Sequence, residues 1–392
     1  MSIGIIRLSG LAAVCLLAGM AFEGRSMTEG DVRKDGGEEL RVMLWNLENF
    51  FDFVDGGEGE SDAEFSATGA RRWTKTRFYR KCQAVAKTIL WAGSNVAVET
   101  GEERGEDVVV GGVPEIVGVA EVENRFVMTQ LVTKTALRKL DYRIVHFDSP
   151  DPRGIDCALL YRESRLTLVR ARPCRVSAQG LRTRDILLAQ FVTVSGDSLA
   201  VLVNHHPSKY GGGETDWRRE VAVARLRALG DSLAASGWTR TVAVGDFNDG
   251  PDNPLFGRLA PAFSLCRMYG MASSAQSLSP GDSDGSSRLL VPHSGDADPF
   301  RENARLPSLS PGEKELGGQA RGSIRFNGEW QLIDLCFVSP ELAERASFSV
   351  LEPPFLTERD AAHSGDKPLR TYSGPRYLGG VSDHRPILVT IR

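Results

Sequence analysis

Thr241-Val242-Ala243-Val244-Gly245 is an apolar run that stops abruptly at Asp246-Phe247-Asn248-Asp249-Gly250, two acidic residues and an amide in quick succession. Taken alone, the polar part is equally good turn chemistry, because Asp and Asn bond their own backbone and Gly accepts positive φ. What constrains the fold is that the pattern recurs. Leu40, Val42 and Leu44 alternate with Arg41 and Met43 and deliver Trp45-Asn46-Leu47-Glu48; Ile116 to Ala120 ends in Glu121; Leu199 to Val203 ends in Asn204-His205-His206. Trp330 to Val338 carries one carboxylate, Asp334, and Val381-Ser382-Asp383-His384-Arg385-Pro386 runs into Ile387 to Ile391. Alternating and continuous apolar runs of this length read as strands buried in sheets. Strand ends mount side chains on a rigid rim, where catalytic groups are commonly found.

Other segments supply helices and connections. Thr74 can cap a helix whose stripe is Phe78, Cys82, Val85 and Ile89, with Arg77, Arg80, Lys81 and Lys87 elsewhere; such a run is more often a solvated helix face, and Arg71, Arg72, Lys75, Arg77, Arg80 and Lys81 are the best candidate for a phosphate-contacting basic face. A second helix is expected from Asn124 toward Leu140, and a third opens at Trp217 with the stripe Ala222, Leu226, Leu229 and Leu233. Tyr142 to Tyr161 reads as a hairpin through a Pro-rich turn, in which Arg153 and Asp156 are either substrate contacts or turn stabilisers, the structural role being favoured for Asp156. From about 270 to 322 Ser, Gly, Pro and Asp dominate without periodicity, as in a long surface insertion.

The N-terminus combines Arg7, a short apolar core from Leu11 to Ala18 and small residues to Ala21, which is the form of an export signal and too short for a comfortable membrane span. Cleavage near Ala21, followed by a flexible lead-in over 22–38, gives an exported chain, periplasmic or secreted, with no transmembrane segment left. Five cysteines remain, without Cys-x-x-Cys spacing, so neither a disulfide framework nor a zinc site is indicated. The net charge of −4 excludes a protein that holds nucleic acid by overall charge. No motif implies a stable protein partner, and a monomer is expected.

Within the rim grammar, Asn46 and Glu48, two residues apart on an extended chain, should share a face and reach one site. Glu121 is a ligand candidate, whereas Glu123 is explained by the favourable field at a helix start. His205, at a strand terminus beside Asn204 and near Lys209, is a functional candidate. Asp334, buried in its strand, needs a partner. Carboxylate and amide oxygens without cysteine suit a hard cation such as Mg²⁺, with Mn²⁺ able to substitute, and such a cation binds phosphate oxygens.

Trp45-Asn46-Leu47-Glu48, Ala120-Glu121-Val122, Asn204-His205, Gly245-Asp246-Phe247-Asn248, Ile333-Asp334 and Ser382-Asp383-His384-Arg385-Pro386 together resemble the endonuclease/exonuclease/phosphatase superfamily, in its order and over nearly the whole chain after the signal. The resemblance implies an α+β fold, a four-layer α/β/β/α sandwich of two mixed sheets flanked by helices, forming a single domain over 39–392. It also implies roles. Glu121 would be the principal metal ligand, with Asn46, Glu48 and Asp383 completing or flanking the metal region. Asp246 would orient or deprotonate the attacking water, Asn248 would hold the phosphate, and His384, oriented by Asp334, would contact the scissile phosphoryl group. His205 would stabilise the transition state or assist the leaving group, with Asn204, Arg153 and Lys209 as substrate contacts. Three positions depart from the usual pattern: Ala120 stands where many members have Gln, Glu48 where several have Asp, and His206 where relatives often carry an aromatic residue.

The expected activity is that of a Mg²⁺-dependent phosphodiesterase, a nuclease acting on DNA or RNA. A phospholipid or inositol phosphate hydrolase is the alternative enzyme, and a non-catalytic binding module the alternative of another class. A lipid enzyme would be helped by an exposed apolar loop, and a nuclease by a basic face with steep salt dependence.

Overall fold

In this computed structural model the structure describes residues 39–54, 56, 59–94, 112–209, 212–268 and 322–392. The expected signal, lead-in and nearly all of the expected insertion lie outside them. Residues Glu38–Arg392 form one compact unit.

Alternation decides what each strand buries. β1 (Leu40–Phe50) turns Met43, Trp45 and Leu47 into one apolar cluster and Val42 and Leu44 into another, as a period of two requires. β2 (Ile116–Val122) runs parallel to it, with Val42 to Asn46 registered against Ile116 to Ala120. β3 (Tyr142–His146) and β4 (Asp156–Arg162) form the expected antiparallel hairpin, and β4 pairs with β2. Beyond β1 lie the closing strand Ile387–Ile391, then Ala346–Val350 and Arg267–Met268, which completes a 7-stranded sheet.

The second sheet has 6 strands: β5 (Leu166–Cys174), β6 (Ile186–Thr193), β7 (Ser198–His205), β8 (Thr241–Asp246), then Asp334–Val338 and Ser264–Leu265. Only the β7–β8 step is parallel. The sheets pack face to face, β1 over β8 and β2 over β7. Val42, Leu44, Val201, Val203, Val242 and Val244 share the core between them. Each sheet thus has a central parallel pair, and all four of those strands end on the same rim.

Helices close the outer faces. α1 (Lys75–Ser94) and α2 (Arg125–Thr133) bury Phe78, Cys82, Val85, Ile89, Val127, Met128 and Leu131 against Met43, Trp45, Leu47, Val117 and Val119. α3 (Asp216–Ala235) buries the expected stripe Ala222, Leu226, Leu229 and Leu233 in the other cluster. The order of layers is therefore α/β/β/α. The five cysteines among the described residues are free and buried.

Two expected elements are shorter in the structure. The helix after Asn124 ends at Thr133, because the Thr135 hydroxyl donates to Leu131 O at 2.6 Å and accepts from Leu137 N, restarting the chain as a 3₁₀ turn, Ala136–Lys139. The run Trp330 to Val338 is broken. Ile324–Phe326 and Glu329–Gln331 make a hairpin through left-handed Asn327 and Gly328, and the Ser323 hydroxyl accepts the N–H groups of Ile333 and Asp334, so that the next strand starts at Asp334.

Gly245 is fixed by the parallel β7–β8 contact. A Cβ there would stand 2.4 Å from Asn204 O and 2.5 Å from Asn204 Cβ, with backbone on the far side that cannot yield. Gly245→Ala is therefore expected to destabilise the fold by about 1–3 kcal/mol through overpacking. A denaturant unfolding curve with an unchanged midpoint would contradict this.

Candidate active site

The antiparallel register sets Asp334 directly opposite Asp246, while the parallel register of β7 sets His205 beside Asp246. Two buried carboxylates so placed disfavour each other's charge. His384 separates them: its Nδ1 donates to Asp334 Oδ2 at 2.7 Å and its Nε2 lies 3.8 Å from Asp246 Oδ2. Burial works against charge on this imidazole, yet Asp334 and Asp246 hold it well above its ordinary value. Burial pushes Asp246 up to about 7, with His384 pulling down and Asp334 pushing up. Asn46 Nδ2 donates to Asp246 Oδ2 at 2.9 Å and Asn248 N–H donates to Oδ1 at 2.9 Å. His205 Nε2 faces two acids, 3.7 Å from Asp246 Oδ2 and 3.8 Å from Glu121 Oε1, while burial and then Arg184 keep its ring neutral, well below its ordinary value.

The closing segment that carries His384 is sewn to β1. Ser382 Oγ donates to Asn46 O at 2.6 Å and accepts from His384 N at 2.9 Å, and Trp45 Nε1 donates to His384 O at 2.8 Å.

Glu121 reaches this rim through a break in alternation. Val117 and Val119 face the helix layer, and simple alternation would send Glu121 after them. Instead its backbone is left-handed, φ 61°, and the β2–β4 register shifts between Ala120 and Val122. Its carboxylate accepts Asn49 N–H at 2.8 Å and the Arg153 guanidinium at 3.3 and 3.4 Å. Arg153 makes its shorter bond, 2.6 Å, to Asn49 Oδ1.

The same device separates Asn46 from Glu48, correcting the expectation that they share a target. Glu48 has φ 48° and Asn49 φ 54°. A left-handed residue ends the period of two, so Asn46 points to Asp246 while Glu48 turns to Arg370, whose Nε and Nη2 donate to Oε1 at 2.9 and 2.6 Å. Arg370 Nη2 also lies 3.0 Å from Asp383 Oδ2. Lys81 and Arg370 both feel the charges of Glu48, Glu121 and Asp383, which places the three carboxylates in one electrostatic neighbourhood.

The sequence model of the Endonuclease/Exonuclease/phosphatase family matches residues 41–264 and 313–392. This chain belongs to that family. The match omits much of the Ser/Gly-rich stretch. Among solved structures, TDP2 from Caenorhabditis elegans aligns over 92% of this chain and 76% of its own at 13% identity, with a TM-score of 0.50. The human Nocturnin catalytic domain aligns over 90% and 94% at 15% identity (TM-score 0.48), and a mannosyl-6-phosphatase from Bacteroides thetaiotaomicron over 90% and 100% at 13% (TM-score 0.48). At these identities the likeness is one of fold. No curated protein matches the chain.

Members of the Endonuclease/Exonuclease/phosphatase family are metal-dependent phosphoric ester hydrolases, and this chain is one. Its residues fit a divalent cation. Burial, then the charge of Asp383, pushes Glu48 up to about 7, with Arg370 and Lys81 pulling down. The donors are carboxylate oxygens, the set preferred by hard cations. Glu121 is the most available of them, because its guanidinium contacts are long and Arg153 is held more tightly by Asn49.

Several expected residues stand elsewhere. Asn204 is fully buried and donates to Leu202 O and Val244 O, so it braces β7 against β8 and cannot touch substrate. Adjacent strand residues face opposite sides, and His205 takes the side toward the site. Lys209 pairs with Asp249 at 2.7 Å, beside Arg219, in the turn that Asp249 was expected to stabilise. Asp156 is structural, accepting Ser149 N–H at 2.8 Å and holding His146 Nε2 at 3.1 Å. His146 turns its opposite nitrogen toward Asp148; a ring that offers opposite edges to two acids is a strut of the hairpin. His206 behaves as the aromatic residue it replaces: burial pushes it down to about 3 and its ring stands edge-on to Phe247 at 4.6 Å.

Three residues of the expected basic helix face are engaged within the protein, while Arg72, Lys75 and Arg80 stay exposed. Arg71 bonds Glu64 and Gly374 O, and Arg77 bonds the carbonyls of Arg71 and Arg72 over the Tyr377 ring. Lys81 is buried, donates to Glu48 O at 2.8 Å and Thr371 Oγ1 at 2.9 Å, and lies over the Phe50 ring. Burial lowers it to about 8, with Glu48 opposing. Lys81 and Arg370 are the residues that sequence reasoning missed here. Breaking a buried charge network by removing one member costs about 3–5 kcal/mol. Lys81→Met is accordingly expected to lower stability by roughly 3 kcal/mol, read from chemical denaturation; a change no larger than that of an exposed lysine would show that Lys81 is not part of the network.

Proposed function

We propose that this chain is an exported, Mg²⁺-dependent phosphodiesterase that hydrolyses nucleic acid by in-line attack of water. The observation that carries the reading is the buried chain Asp334, His384, Asp246. It joins a histidine whose charged form is favoured by Asp334 and Asp246 to a carboxylate that burial pushes up to about 7, the range where a general base is most effective.

In this reading Asp246 takes the proton of the attacking water, held in place by Asn46 and by the Asn248 N–H. His384, kept charged by Asp334, donates from Nε2 to a phosphoryl oxygen. Neutral His205, between Glu121 and Asp246, hydrogen-bonds the charge that develops toward the leaving oxygen, and preorganised donors of this kind commonly contribute more to the rate than any other effect. Asn248 has its backbone left-handed at φ 53°, and its Nδ2 donates to His206 O at 2.9 Å, which steadies the amide beside the phosphate. Arg153, partly exposed at the mouth, contacts the substrate phosphate when it leaves Glu121. Glu121 is the principal ligand of the cation, which supplies charge neutralisation at a phosphoryl oxygen. Oxygen donors favour Mg²⁺, with Mn²⁺ substituting.

A polymeric substrate is favoured because the groups are carried on the ends of several strands, β1, β2, β7 and β8, along one rim. Export rests on the apolar segment before Ala21 and is tested by N-terminal sequencing of the secreted form, which should not begin at Met1.

The test is the purified protein offered plasmid DNA, RNA, sphingomyelin and inositol phosphates with Mg²⁺ and with EDTA. Nucleic acid should be cleaved in Mg²⁺ only, and Asp246→Ala or His384→Ala should each lower the rate by about 10²–10⁴-fold, measured on the fraction that remains folded, since loss of either buried group also lowers stability. Cleavage that survives EDTA, or turnover of the lipid alone, would refute the proposal.

A further inference from the structure

Glu48 and Asp383 were both expected at the metal, yet neither offers a bare carboxylate. One guanidinium, that of Arg370, bonds both: Nε and Nη2 on Glu48 Oε1 at 2.9 and 2.6 Å, and Nη2 on Asp383 Oδ2 at 3.0 Å. The remaining Glu48 oxygen faces Thr371 N–H at 3.4 Å.

The placement of Arg370 is built into the backbone. Leu369 N–H donates to Leu356 O at 2.8 Å, Val381 N–H to Leu369 O at 2.9 Å and Gly380 N–H to Arg370 O at 3.1 Å, so residues 369–371 are laced to the chain just before Ser382-Asp383-His384. Gly380 permits this approach, since a Cβ there would stand 1.9 Å from Leu369 O. Thr371 Oγ1 donates to Val381 O at 2.7 Å and accepts from buried Lys81 at 2.9 Å, which locks the lacing from the helix side. Glu121 contrasts with this pair in distance: its guanidinium partner sits at 3.3 to 3.4 Å.

A divalent cation bound by oxygen needs donors at about 2.0–2.6 Å. A guanidinium about 3 Å from both Glu48 and Asp383 fills the space between them and bonds one oxygen of each.

We propose that Arg370 is a resident cation of the site, occupying the position between Glu48 and Asp383 and limiting the chain to one divalent ion, held at Glu121. Arg370 is thus a positioning residue that fixes metal stoichiometry, and Glu48 and Asp383 act on the ion only through it. This rests on the reading of Glu121 as the metal ligand given under Proposed function.

The test is titration of the purified protein with Mn²⁺, the free ion being read by electron paramagnetic resonance, with no substrate present. Wild type should bind one equivalent, Arg370→Lys one, and Arg370→Gln two, the second more weakly. Glu121→Gln should lose the single wild-type equivalent. Two equivalents in wild type, or one in a folded Arg370→Gln, would overturn the inference. Should Arg370→Gln fail to fold, Glu121→Gln decides: no bound ion supports one site at Glu121, and a retained equivalent overturns it. Wild type that binds no Mn²⁺ refutes the cation reading itself, and this inference with it.

Discussion

The register that sets Asp334 opposite Asp246 is the constraint from which the rim follows. Strand pairing over an apolar core fixes that register, because a slip of one residue would turn the core-facing side chains outward. Two carboxylates are then buried side by side, which is tolerable only with positive charge between them. His384 supplies it, and the requirement that His384 arrive there explains why the closing segment is sewn to β1 through Ser382, Asn46 and Trp45. Folding energy and catalytic arrangement meet in one contact.

Around that contact the strand ends are strained. Of six non-glycine residues with positive φ among those described, four are Glu48, Asn49, Glu121 and Asn248. Each such residue costs on the order of 1–3 kcal/mol and persists only where its surroundings over-determine it. Here the surroundings are specific: Glu48 N–H is held by Asn46 Oδ1, Asn49 N–H by Glu121 and Asn248 N–H by Asp246. The polar side chains that form the site thus also hold the backbone that aims them.

This division explains what could be read from the sequence. Asp246, Asp334, His384, His205 and Glu121 were legible because each follows or opens an apolar strand run, and two packed sheets with parallel centres bring such ends together. Asn204 was misplaced, since a strand period of two separates it from His205. Arg370 was not legible: it lies in an irregular stretch between short two-stranded ribbons, Thr357–Arg359 with Asp366–Pro368 and Tyr372–Ser373 with Arg376–Tyr377, with no apolar run before it. Lys81 did carry a signal. It stands three residues after Phe78 and four before Val85, on the apolar stripe itself, where a lysine is buried only with partners.

The central claim is that the buried charge pair of Asp334 and His384 is a catalytic device as well as a structural one. Its most direct test is the steady-state kinetics of Asp334→Asn on a phosphodiester in Mg²⁺, alongside its unfolding curve. An amide keeps a hydrogen-bonding group at His384 but not the charge that sustains the imidazolium. The account predicts a kcat lower by about 10²–10⁴-fold with KM and the native fold retained. A folded Asp334→Asn enzyme with wild-type kcat would contradict it.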